Sequence, residues 1–82
     1  MNYINISSKD LESFYKQIAI NVKIARKAKK ITQLDLALTI GHKSVSTIAK
    51  IEAGIENKHY NLEHLYKISK ALEIDICKLM RL

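Results

Sequence analysis

Proline is absent from this 82-residue chain, and glycine occurs only twice, at Gly41 and Gly54. Almost nothing therefore interrupts a helix, while Ile and Leu return every three or four residues along most of the length, which is the period of one buried helical face. The expectation is an all-α protein of short helices with no large sheet. A chain of this size holds one domain and buries only about 60 to 65 % of its unfolded surface, so association with a second copy would add core.

Capping signals divide the chain into five helices. Ser7 and Asp10 have capping-box spacing, and Leu11, Phe14, Tyr15, Ile18, Val22 and Ala25 then keep one face apolar up to "KAKK", with a kink or split near the start left open. Thr32 and Asp35 repeat the spacing ahead of a two-turn helix with Leu36, Ala37 and Ile40 inward, stopped by Gly41. Ser44 is the next N-cap candidate, for a helix running to Ala53 before Gly54. Asn61 opens a fourth helix with Leu62, Leu65, Ile68, Ala71 and Leu72 inward, and Asp75 a last short one containing Ile76, Leu79 and Met80. The amino-terminal "NYINI" fits either a flexible arm or a short strand.

The third helix has an unusual outer face. At 100° per residue Ile48, Ile51 and Glu52 fall on one side, and Val45, Ser46, Ala49 and Lys50 on the other. A face meant only for solubility would carry Glu and Lys together, but this one has no acid of its own. Small side chains let a backbone approach closely; Ser and Lys can hydrogen-bond base edges or phosphates, and Val or Ala can touch a thymine methyl in a major groove about 12 Å wide. Packing against another helix or subunit is the alternative. Charge favours the nucleic acid. Residues 13 to 51 hold eight basic side chains against the single acid Asp35, whereas residues 52 to 82 are balanced, so the net charge of +6 is confined to one half.

A two-turn helix, a turn containing Gly41 and this third helix form a helix-turn-helix arrangement behind the basic cluster "KIARKAKK". From about Ile18 to Leu79 the sequence resembles the XRE family of Cro and phage-repressor-like helix-turn-helix regulators, among them the small restriction-modification controller proteins. "IAINVKIARKAKKITQLDLA", Gly41, "IAKIEAG" and "LEHLYKISKALEID" stand in the family's order and at close to its spacing. The resemblance implies a five-helix, lambda-repressor-like fold spanning residues 1–82, with a helix-turn-helix at about 33–53, an arm at 1–7 and dimerisation helices at 61–82. It also implies Val45, Ser46 and Lys50 as base-reading residues, Gln33, Lys43 and Ser44 at the DNA backbone, and a structural ion pair between Arg26 and Glu52. Two departures stand out: Ala37 to Glu52 is one residue longer than the common spacing, with "GHKS" for the usual "GVS" so that His42 or Lys43 replaces a buried aliphatic, and the loop before Leu62 is longer as well.

No other chemistry competes. His42, His59, His64 and Cys77 lack finger-like spacing, so no metal or other cofactor is expected, and Cys77 is expected to be a small buried hydrophobe. Without a glycine-rich phosphate loop or a nucleophile elbow, and with little room for a cavity, an enzyme is not expected, nor a small-molecule ligand. A lone cysteine requires no oxidising compartment, and no apolar run or signal-like start is present, so the expected location is cytoplasmic, without membrane attachment. Tyr60, Tyr66, Leu72, Ile74, Ile76, Met80 and Leu82 exceed what one small core needs, which points to a two-fold dimer through the last two helices. The expected partners are double-stranded DNA and a second copy of the chain; a protein-interaction adaptor reusing the fold is the alternative.

Overall fold

The computed structural model describes residues 4–82, and the described residues form five helices: α1 (Ser8–Ala28), α2 (Gln33–Thr39), α3 (Ser46–Ala53), α4 (Leu62–Leu72) and α5 (Ile76–Leu79). Of the amino-terminal "NYINI", Asn2 and Tyr3 lie outside the described residues, while Ile4, Asn5 and Ile6 are exposed and belong to no helix or strand. The capping chemistry explains where the helices begin. Ser7 Oγ accepts the Asp10 N–H at 3.0 Å, Thr32 Oγ1 accepts that of Asp35 at 3.0 Å, and Asn61 Oδ1 accepts that of His64 at 2.7 Å. Each third-position side chain also reaches back to its cap, so three helices start with reciprocal boxes. The first helix is a single uninterrupted element of 21 residues.

The core gathers Ile18, Ala19 and Val22 from α1, Leu36 and Ala37 with Ile40 from α2, Ile48 and Ile51 from α3, and Leu65, Ile68, Leu72 and Leu79 from the last two helices. These side chains cross every helix, so no element is stable alone; α5, at four residues, is far too short to be. It is held by Asn21, whose Nδ2 donates to the carbonyls of Leu79 at 3.0 Å and Arg81 at 2.7 Å.

Several expectations are corrected. The third helix starts one residue later than a Ser44 cap implies: Val45 is the cap residue and already right-handed, its carbonyl accepting Ala49 N–H at 2.8 Å. Ser44 Oγ instead makes a long 3.4 Å contact with the N–H of Ser46. Leu62 and Ala71 are exposed rather than inward, because the side of α4 turned toward the core carries Leu65, Ile68, Ser69 and Leu72. Leu11, expected on the buried face of α1, is also exposed. Cys77 is exposed, since α5 turns Leu79 and, in part, Ile76 toward the core and leaves Cys77 and Lys78 facing out. Tyr60 and Leu72, assigned above to a surplus apolar surface, are core residues, and Ile74, Ile76 and Met80 pack partly against the core; of that group only Tyr66 and Leu82 are exposed.

Candidate nucleic-acid interface

Two glycines shape the turn and the exit of the helix-turn-helix. Gly41, at φ 88°, follows α2, where the N–H of His42 returns to the carbonyl of Ala37 at 2.9 Å; Gly54, at φ 72°, ends α3 while the N–H of Ile55 reaches the carbonyl of Lys50 at 3.1 Å. Both are left-handed positions that favour glycine. The extra residue of "GHKS" is absorbed by turning His42 inward, its ring edge-on to that of His64 with 5.6 Å between centroids. Lys43 and Ser44 are thereby left exposed.

Behind α3 a buried charge network fixes its angle. Arg26 Nε donates to Glu52 Oε2 at 2.8 Å and Nη2 to Oε1 at 3.0 Å, while Nη1 donates to the carbonyl of Ile31 at 2.7 Å. Gln33 Nε2 donates to Glu52 Oε1 at 3.0 Å. One guanidinium therefore joins α1, the turn before α2 and α3, and one amide joins α2 to the same carboxylate. Side-chain exposure is only 9 % for Arg26 and 5 % for Glu52, so the pair is dry and its geometry bidentate. The buried Tyr60 phenol lies close enough for burial and the Glu52 carboxylate to hold its pKa far above the usual tyrosine value.

The residues singled out in the sequence divide into two groups. Arg26, Gln33 and Glu52 meet in this network, so in the free chain Gln33 faces Glu52 rather than solvent alone. Val45, Ser46, Ser44 and Lys43 are exposed, and Lys50 is half-buried. Ala49 is also half-buried, while Ile48 and Ile51 have gone fully inward. Lys50 is not free: its Nζ lies 2.9 Å from Glu56 Oε2. Glu56 is a residue that the helical wheel missed, because it lies beyond Gly54 where helical periodicity has stopped. The basic cluster at the end of α1 has a local role too, since Arg26 and Lys27 sit in the last turn, where cations complement the helix dipole.

A family model described as Helix-turn-helix matches residues 22–79, most of the chain. The chain belongs to the XRE-type helix-turn-helix family. It is a DNA-binding helix-turn-helix regulator with the all-α, lambda-repressor-like fold of that family, whose domain is not an enzymatic one. Neither the curated proteins nor the solved structures include a match. Among the described residues of this XRE-type chain no helix is long and apolar enough to cross a membrane, and no three His, Cys, Asp or Glu side chains group as metal ligands.

Proposed function

We propose that this regulator binds double-stranded DNA sequence-specifically as a homodimer, each copy placing α3 in one of two successive major grooves about 34 Å apart over an inverted repeat. The observation that carries the reading is the division of α3: Ile48, Ile51 and Glu52 are held inward, which leaves Val45, Ser46 and Lys50 on the face turned away from the core. Those three discriminate between base pairs. Lys43 and Ser44, exposed in the turn, meet the backbone, and Gln33 does so from the start of α2 while bracing Glu52. Leu62, Tyr66 and Leu82, exposed on or beside the last two helices, supply apolar area for a two-fold contact. Within the class, a restriction-modification controller, a phage-type repressor and an antitoxin all fit this chemistry.

Selection from random duplex DNA followed by sequencing tests the proposal, because it returns motif, symmetry and half-site spacing together. A palindromic motif is expected, with affinity that falls as salt rises and that Lys50→Ala and Ser46→Ala each weaken; an unsymmetric motif overturns the dimer, and indifference to both substitutions overturns the site. One observation favours a second reading. Leu34 and Leu38 are exposed one turn apart on α2, an apolar edge beside the same face that suits a protein partner. For that adaptor, the selection would return no enriched motif.

A further inference from the structure

Glu56 occupies a place that local chemistry would not give it. The N–H of Lys58 bonds to the carbonyl of Ile55 at 3.3 Å, closing a turn whose two central residues, Glu56 at φ 58° and Asn57 at φ 51°, are both left-handed. Turns of that kind favour Gly, Asn and Asp, and Asn57 conforms while Glu56 does not. Backbone held against its preference is concentrated where a side chain must be aimed. The turn is anchored on both flanks. At one end Ile55 N–H holds the carbonyl of Lys50 itself, and at the other the His59 ring stacks on Tyr15 of α1 with centroids 3.8 Å apart. The Glu56 carboxylate is thus delivered to Lys50 Nζ at 2.9 Å by a fixed scaffold rather than by a wandering loop.

We propose that Glu56 is a positioning residue that sets the sequence specificity of Lys50, an inference that rests on Lys50 being a base-reading residue. An ammonium group has three N–H donors. With one given to Glu56, two remain, which match the two major-groove acceptors of a guanine, O6 and N7. The carboxylate also cancels most of the charge that would draw Lys50 to any phosphate. On the operator the lysine keeps its carboxylate and reads a base; on unrelated DNA it has no second partner to gain, and the carboxylate faces a polyanion. Glu56 therefore lowers indiscriminate affinity more than operator affinity.

The test measures Kd by fluorescence anisotropy for the selected operator and for a scrambled duplex of equal length, across a salt series. The proteins are the parent, Glu56→Gln, Glu56→Gly, Lys50→Ala and the Lys50→Ala/Glu56→Gln double variant. Glu56→Gly suits the left-handed backbone, so it removes the carboxylate without adding strain. Both Glu56 variants are expected to bind the scrambled duplex about three-fold more tightly, the scale of one exposed ion pair, and to change operator binding less. Their log–log salt slope on the scrambled duplex steepens by about 0.9, one more phosphate contact. In the Lys50→Ala background the Glu56→Gln effect shrinks to the bare repulsion between a carboxylate and the duplex, the same for both DNAs. Equal gains on both duplexes, or a Glu56→Gln effect undiminished by Lys50→Ala, overturn the proposal while leaving Lys50 as a reader. Operator binding unchanged by Lys50→Ala alone instead overturns the underlying reading of Lys50, and this inference with it.

Discussion

Replacing Arg26 by Met is the sharpest perturbation of the helix-turn-helix that does not touch its outer face. The variant removes the donors at 2.8 and 3.0 Å from Glu52 and the 2.7 Å donor from the carbonyl of Ile31, leaving Glu52 with Gln33 alone. A carboxylate whose side chain is 5 % exposed cannot recover those contacts from water. Breaking one side of such a pair costs about 3 to 5 kcal/mol, and the orphaned carbonyl adds about 1 kcal/mol. A chain of this length has roughly 4 to 12 kcal/mol of total stability, so the loss is between a third and all of it. At about 4 to 8 °C per kcal/mol, even the smallest such loss, about 4 kcal/mol, lowers Tm by roughly 16 to 32 °C. The double variant Arg26→Met/Glu52→Leu removes both charges and is expected to be more stable than the single one, because no ion is left buried without a counterion. Urea unfolding followed by circular dichroism, on both variants and the parent, reads this directly. DNA affinity is measured in parallel at a temperature where all three are folded. An Arg26→Met protein with the parent's urea midpoint and a large loss of affinity would refute the reasoning, since Arg26 would then act on phosphate and not as a brace. Simple additivity of the two substitutions would refute it too.

Three further outcomes are expected. His64 Nδ1 lies 3.2 Å from the N–H of Asn61, and burial, then the nearby His42, holds its pKa below the ordinary 6.5, with Lys67 and His59 acting in the same direction and Glu63 against them. The folded chain therefore binds this proton less readily than the unfolded one: the stabilisation is full above pH 6.5 and is lost as pH falls through the folded pKa. His64→Gln keeps a capping-box residue without a titrating group, so it flattens that part of the Tm–pH curve, and an unchanged slope would show that His64 is not the source. Gly54→Ala meets no atom within 4 Å of the new Cβ, so its cost is the backbone conformation alone, about 1 kcal/mol by urea unfolding, whereas Glu73→Gly at the left-handed end of α4 stabilises by about 0.5 kcal/mol. The exposed Cys77 reacts with a thiol reagent in the folded protein at the rate of a free thiol; reaction only on unfolding would contradict its placement.

What could be read in advance was what is encoded within one turn of helix. Ser7 with Asp10, Thr32 with Asp35, and Asn61 each announce a helix start through side chains three positions apart, and the Ile and Leu period then assigns Ile18, Val22, Leu36, Ile48, Leu65 and Ile68 to the core. Contacts between elements left no such trace. Nothing local ties Asn21 to the carbonyls of Leu79 and Arg81, 58 and 60 residues away, nor decides that His42 rather than Lys43 turns inward, which depends on His64 in another helix. Cys77 and Leu62 were misassigned for the same reason: a terminal turn has too few residues for its pattern to fix a face, and packing chooses instead. In the candidate site, the outward side of α3 followed from its periodicity. Glu56 did not, because its reach to Lys50 is made by a left-handed turn to which no hydrophobic period applies.

The convergence on Glu52 also bears on how separable the helix-turn-helix is from its surroundings. Of the groups that fix the tilt of α3 through this carboxylate, Gln33 lies within the two-helix unit, but Arg26 is in the helix before it and anchors itself on the carbonyl of Ile31, also outside. A peptide spanning residues 33–53, or those residues grafted onto another scaffold, would carry the outward face of α3 without the arginine that fixes its tilt. The smallest transplantable unit therefore begins upstream of Arg26, and moving α3 alone into another scaffold requires the recipient to present an arginine in register with the incoming glutamate.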